Sequence, residues 1–391
     1  MPAKRIHSID FLRGVVMILM ALDHVRDFFH NGAMQGDPLD LNSTTPALFF
    51  TRWITHYCAP VFIFLSGTSA FLVGERKSKK ELSTFLLTRG LWLIVAEIAI
   101  VGPGWTFDFK YHMIALQVIW AIGISMVVMS ALIRLPFRVI FIIGFTLVFG
   151  HNLLDPVEAQ HSGPFGFWWD LLHRGNFVFY PYAEGRVLGI FYPFVPWTGV
   201  MALGYCLGKI FTSEVNETKR KLFLIKTGTV LLFLFVLLRF SNIYGDPNPW
   251  SSQKNMLFTV LSFINLNKYP PSLLYLCITI GPALILLAFT EQLKNKQSQM
   301  VMVFGRVAFF YYLLHIYLIH LLCVGVFYLQ GFGSDAIHSQ GSPFLFRPAT
   351  LGYGLGGVYV IWILVIALLY PVCKKYDRYK RQNKKWWLSY V

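Results

Sequence analysis

Apolar runs of roughly 18 residues or more, the length a helix needs at ~1.5 Å per residue to cross ~30 Å of hydrocarbon, can be drawn at about ten places in this chain. They fall near 9–29, 51–73, 85–103, 111–133, 136–153, 187–211, 221–241, 271–290, 302–327 and 353–373. With 55% apolar, 17% aromatic and only 14% charged residues, the chain lies outside the range of an ordinary soluble domain. The fold class expected is all-α and integral to a membrane.

Lys and Arg mark the cytoplasmic connections of such a bundle. An N-terminus inside puts Lys4 and Arg5, then Arg76, Lys77, Lys79 and Lys80, then Arg134 and Arg138 on one side. Lys209, Lys219, Arg220, Lys221, Lys294, Lys296 and the tail from Lys374 to Lys385 join them there. The opposite connections hold only scattered cations such as Lys110, Arg174, Lys254, Lys268 and Arg347. Ten spans with both termini cytoplasmic are expected, forming one polytopic domain over 1–373 and a basic tail over 374–391. The net charge of +15 then follows from topology and anionic lipid, so no nucleic-acid partner is implied.

The five cysteines, Cys58, Cys206, Cys277, Cys323 and Cys373, all fall in expected spans without CxxC spacing. Neither disulfides nor a metal site is indicated. The start "MPAKRIHSIDFLRG" places Asp10 and Arg13 ahead of an apolar run too long for a signal h-region, and reads as an uncleaved first helix. The segment from Asn152 to Arg186, rich in aromatics, Gly and Pro, is expected to be an external loop folded over the bundle. Asn42-Ser43-Thr44 is a glycosylation sequon that acquires meaning only in a eukaryotic secretory membrane.

Ionisable groups inside spans carry a free-energy cost and so mark candidate sites. "ALDHVRDFFH", residues 21–30, packs Asp23, His24, Arg26, Asp27 and His30 into the end of the first span. Eleven residues separate Arg13 from His24, three turns plus ~20°, so both project from one stripe about 16 Å apart along the axis. Asp10 and Asp27 lie three residues from Arg13 and His24, within helical pairing distance. The second span begins with Arg52 and His56 and reaches Ser66-Gly67 about 15 Å deeper. Arg89 opens the third span, Arg306 the ninth, and the ninth also carries His315 and His320. Guanidinium groups suit phosphate, and a neutral histidine suits proton abstraction. Taken singly, a membrane histidine or Ser-Gly pair serves packing and an arginine at a helix end serves anchoring. Convergence of several on neighbouring spans favours a site.

The segments "RIHSIDFLRGVVMILMALDH", "CAPVFIFLSGTSAFL", "FLLTRGLWLIVAE", "YPFVPWTGVMALGYCLG", "YPPSLLYL" and "FGRVAFFYYLLHIYLIH" resemble, in order and over nearly the whole chain, bacterial membrane proteins grouped with the catalytic domain of heparan-alpha-glucosaminide N-acetyltransferase. Arg13, His24 and the later FLSG are also similar to the first two helices of the wider acyltransferase-3 family. The resemblance implies transfer of an acyl group, from acetyl-CoA or another acyl-CoA bound on the cytoplasmic side, to a hydroxyl or amine of a glycan or glycolipid across the membrane. A membrane histidine would be base or transient acyl carrier.

On that resemblance His24 matches the helix-one histidine, Arg13 its arginine and Arg89 one of a pair of arginines on helix three. His30 and His56 stay open as rival catalysts. Asp23 or Asp27 is expected to orient the His24 ring. Arg13, Arg89, Arg306, Ser66 and Gly67 are the candidate donor-binding residues, and His315, His320 and Trp197 the candidate acceptor-side residues. The expected setting is a bacterial inner membrane, with lipid around the bundle and oligomeric state open, a homodimer included. Proton-coupled small-solute transport is the alternative function, since intramembrane His, Asp and Arg also build proton relays. A receptor or assembly protein without chemistry is the third class.

Overall fold

The computed structural model describes residues 6–390 apart from 162, 164, 176, 294 and 340. Lys4, Arg5 and Lys294, three of the basic residues used to read topology, lie outside the described residues. Each of the ten expected runs contains a helix: α1 (His7–Phe29), α2 (Pro46–Gly74), α3 (Lys79–Thr106), α4 (Val118–Leu132), α5 (Phe137–Ala159), α6 (Phe194–Phe211), α7 (Glu217–Ser241), α9 (Leu273–Thr290), α11 (Ala308–Leu329) and α12 (Leu355–Gln382). Among the shorter helices are α8 (Met256–Ile264) and α10 (Lys296–Arg306). Eight of the ten are long and apolar enough to cross a membrane. The protein is an all-α integral membrane protein. The other two are α4, with 15 residues, and α1, whose 23 residues include five Asp and Arg.

Three expected boundaries differ. The run 302–327 is broken at Val307, whose φ of −122° and ψ of 37° end α10 and start α11 on a new axis. The run 111–133 opens as strand β1 (Met113–Leu116), and 187–211 as strand. The aromatic segment 152–186 also contains regular structure: β2 (Val178–Ala183) pairs antiparallel with β3 (Arg186–Ile190), and the sheet order is β1-β3-β2. Gly185, at a φ of +64°, makes the tight turn between them. Leu116, Leu171 and Ile190 form the apolar cluster beneath this sheet. A strand buried on one face and a membrane helix are both apolar, and periodicity over five residues does not separate them. The helix α12 continues through 373 to Gln382, so the basic segment begins as helix.

The described chain divides into two compact units. The first comprises Ala59–Glu97 and Ile114–Leu293 with the start of the chain to Ile9. Its helices begin on side-chain caps: Ser78 and Glu81 form a capping box at α3, Asn216 receives Lys219 N at 2.8 Å and Ser272 receives Tyr275 N at 3.1 Å. Lipid offers no hydrophobic drive for helix association, so close van der Waals packing supplies it, and small residues permit that packing. Gly90 of α3 abuts Gly123 of α4, Gly228 of α7 abuts Gly281 of α9, and Gly67 of α2 lies on the Met201 carbonyl of α6.

The second unit comprises Asp10–Cys58, Ile98–Met113 and Lys294–Val391. Here α1 and α10 cross at backbone distance: a Cβ on Gly305 would fall on the Asp10 carbonyl oxygen, and one on Gly14 on that of Val301. At its other end α1 hands its free carbonyls to the 347–353 segment. Tyr353 N donates to Phe29 O at 2.7 Å and the buried Arg347 donates to His30 O at 2.7 Å, which satisfies groups that a helix end otherwise leaves open.

Candidate functional site

The second unit gathers His24, Asp23, Asp27, His56, Arg13, Arg306, His315 and His320; Ser66, Gly67, Arg89 and Trp197 belong to the first. His24 of α1 is 8% exposed and His315 of α11 fully buried. His24 Nδ1 lies 2.7 Å from His315 Nε2, and His315 Nδ1 lies 2.9 Å from the Tyr311 carbonyl oxygen. A carbonyl oxygen only accepts, so His315 Nδ1 carries a proton and donates it there. Neutral His315 therefore presents a lone pair at Nε2, and His24 Nδ1–H donates into it. The neutral His24 ring then carries its own lone pair at Nε2, the form a general base or nucleophile needs. Trp105 packs edge-on against His24 at 4.6 Å between centroids, with Tyr312 at 6.1 Å. These apolar walls lower the local dielectric and strengthen the hydrogen-bond chain.

Beside this pair lies a charge network. Asp23 accepts from Arg52 with both oxygens at 2.7 Å and from Arg26 at 3.0 Å, and Asp27 accepts from Arg26 at 2.7 Å. Two carboxylates face two guanidinium groups, so the cluster is neutral where a lone charge would cost several kcal/mol. The sequence reading gave the orienting role at His24 to Asp23 or Asp27. The structure places His315 on Nδ1 and ties Asp23 to Arg52. That ion pair, with Cys58 Sγ donating to Val16 O at 3.4 Å, fixes both ends of the turn that carries buried His56 against α1.

The remaining candidates divide by what their polar atoms touch. His320 is buried, with Nδ1 3.1 Å from Gly104 O, Nε2 2.8 Å from Leu345 O and Phe107 stacked at 3.7 Å. Both its nitrogens face backbone carbonyl oxygens, and a neutral ring donates to one of them. Arg306 grips Asp377 of α12 through Nε at 3.0 and 3.1 Å and Nη2 at 2.9 Å, so a phosphate would compete with that carboxylate. Arg13 is half-buried on the same helix as His24, one residue before the Gly14 crossing. In the first unit the Ser66 hydroxyl donates to Phe62 O at 2.8 Å and Gly67 is filled by α6. Arg89 precedes the Gly90 contact, and Trp197 is wholly buried 5.5 Å from the Tyr192 ring.

Sequence reasoning missed two things. It did not foresee that His315 meets His24, because the rotation of α11 against α1 is a tertiary fact. It passed over His151, His173 and Glu158, which the first unit joins by hydrogen bonds. A signal existed, in three histidines and three carboxylates within the 23 residues from 151 to 173.

The family model described as heparan-alpha-glucosaminide N-acetyltransferase, catalytic, matches residues 5–242. No curated protein matches the chain.

Proposed function

The chain belongs to the heparan-alpha-glucosaminide N-acetyltransferase catalytic family, a family of membrane acetyltransferases, and from that premise we propose that His24 is its base or acyl carrier. The reading is transfer of an acetyl group from acetyl-CoA, bound at the cytoplasmic side, to an amine or hydroxyl of a sugar or glycolipid on the far side. It takes ten spans, α1 and α4 added to the eight apolar ones, in a bacterial inner membrane.

The observation that carries the reading is the 2.7 Å bond between His24 Nδ1 and His315 Nε2, with His315 anchored on Tyr311 O. It holds His24 in the tautomer with its lone pair at Nε2. As base, His24 Nε2 takes the proton from the acceptor N–H or O–H while that heteroatom bonds to the thioester carbonyl; the C–S bond breaks and the proton passes to the leaving sulfur. As carrier, Nε2 itself bonds to the carbonyl carbon and the thiolate leaves; the acceptor heteroatom then displaces the imidazole, and its proton passes to the thiolate. In either case His315 stabilises the imidazolium character that develops on His24. Arg13, on the same helix as His24, is proposed to bind a CoA phosphate, for which a guanidinium group is suited.

The test is acetyl transfer from labelled acetyl-CoA to a panel of amino sugars and sugar lipids by protein in proteoliposomes. His24→Ala is expected to lower kcat by about 10²-fold or more. His315→Ala should cost about tenfold in kcat with donor KM unchanged, and His315→Gln, whose amide oxygen can still accept, should recover part of the loss. Full activity in His24→Ala would sink the reading, and His56 would be the next candidate.

A further inference from the structure

The first unit holds a second histidine pair, with a carboxylate behind it. Glu158, at the end of α5, accepts from His173 Nδ1 at 2.7 Å and from Trp169 Nε1 at 2.8 Å. His173 Nε2 lies 3.2 Å from Nδ1 of His151, about two turns before Glu158 along α5. All three side chains are buried, at 8%, 2% and 5% exposure in the order named. His151 Nε2 is buried without a hydrogen-bond partner among the described residues, while the Pro271 backbone lies against the same ring. Proline has no N–H, so what it offers there is its carbonyl, an acceptor.

Donor and acceptor roles then depend on one proton. When the chain carries none beyond its neutral rings, the Glu158 carboxylate accepts from His173 Nδ1–H, His173 Nε2 accepts from His151 Nδ1–H, and His151 Nε2 is a buried lone pair facing a carbonyl. When one proton is added at His151 Nε2, the Nδ1–H of that ring can pass to His173 Nε2. His151 Nε2–H then faces the Pro271 oxygen as a donor, and the positive charge comes to rest on His173 beside the carboxylate. Every nitrogen is satisfied only in this loaded state.

We propose that Glu158, His173 and His151 form a binding site for one exchangeable proton, taken up at His151 Nε2 and relayed to His173. Its loading fastens the 267–273 segment, and with it the start of α9, to the end of α5. That junction already rests on Leu273 N donating to Asn152 Oδ1 at 2.9 Å and Ser272 donating to Asp246 Oδ2 at 2.6 Å. The acidic groups nearest the chain are Asp155, held by Asn152 at 2.8 Å, and Asp246. Asp246 is itself 3.8 Å from Arg239. Buried Asp170 shares the turn of His173 and accepts from Tyr180 at 2.5 Å, Arg174 lies over the Phe165 ring, and Lys268 lies over Tyr269.

The test follows the ring nitrogens of the intact protein, labelled with ¹⁵N-histidine and reconstituted in bilayers, by NMR across pH. The His151 signals, identified by their loss in His151→Asn, are expected to show a bare Nε2 at high pH and a bare Nδ1 at low pH. His173 should become doubly protonated over the same range. Amide exchange in 267–273 should slow up to about tenfold on loading, as one added hydrogen bond allows. Glu158→Gln removes the carboxylate that holds the charge and should move loading down by about one pH unit or more. A single His151 tautomer throughout, or loading unmoved by Glu158→Gln, overturns the proposal; if that variant does not fold, the titration of the unaltered protein decides alone.

Discussion

A neutral His24 ring carries one proton, and the 2.7 Å bond to His315 Nε2 places it on Nδ1; the chemistry available at Nε2 follows from that placement. The same dependence on neighbours acts at His30, just beyond α1. Burial, then the Arg26 and Arg347 guanidinium groups, hold its imidazole below the ordinary histidine value of about 6.5. Between that lowered value and 6.5 the unfolded chain binds more protons than the folded one, so stability rises with pH across the window. Melting temperature in detergent should therefore fall as pH drops from about 7 towards 5, and His30→Gln should flatten that fall. An equally steep fall in the variant would place the sensitivity elsewhere.

At the scale of elements, glycine spacing decides which helices touch and how closely. A Cβ on Gly305 would meet the backbone carbonyl of Asp10, which no side-chain rotation can relieve, whereas Gly325 in α11 has open space around it. Gly305→Ala should thus destabilise by about 1–3 kcal/mol or more through forced separation of α1 and α10. Gly325→Ala should be neutral or stabilising by up to about 1 kcal/mol, because alanine favours helix. Thermal unfolding followed by tryptophan fluorescence compares them, and equal effects would show that the α1/α10 crossing does not limit stability. The helices themselves were legible because a long apolar run is a property of consecutive residues. The break at Val307 and the hairpin at 178–190 were not, since each looks apolar in sequence and differs only in backbone torsion.

For the whole molecule, the proposed ten spans require α1 and α4 to cross the membrane despite the charge of one and the 15-residue length of the other. Single cysteines placed in a background without the five native ones should report it through a membrane-impermeant thiol reagent on intact cells. Asn42→Cys and Lys110→Cys should label, and His7→Cys and Arg138→Cys should not. Labelling of His7→Cys and Asn42→Cys from the same side would remove α1 from the spans.

What the sequence determined by itself is the membrane class, the ten helical runs and the family, because each rests on hydropathy and motif order along the chain. It also singled out His24, through its stripe with Arg13 and the family pattern. Only the tertiary structure decided which group meets His24 Nδ1, that Arg52 and Arg26 neutralise Asp23, that Arg306 is held by Asp377, and that His151, His173 and Glu158 form a chain. The physical reason is that hydrogen-bond roles and ion pairs depend on the rotation of one helix against another to within an ångström. Residues 291 positions apart, as His24 and His315 are, leave no local trace of that rotation.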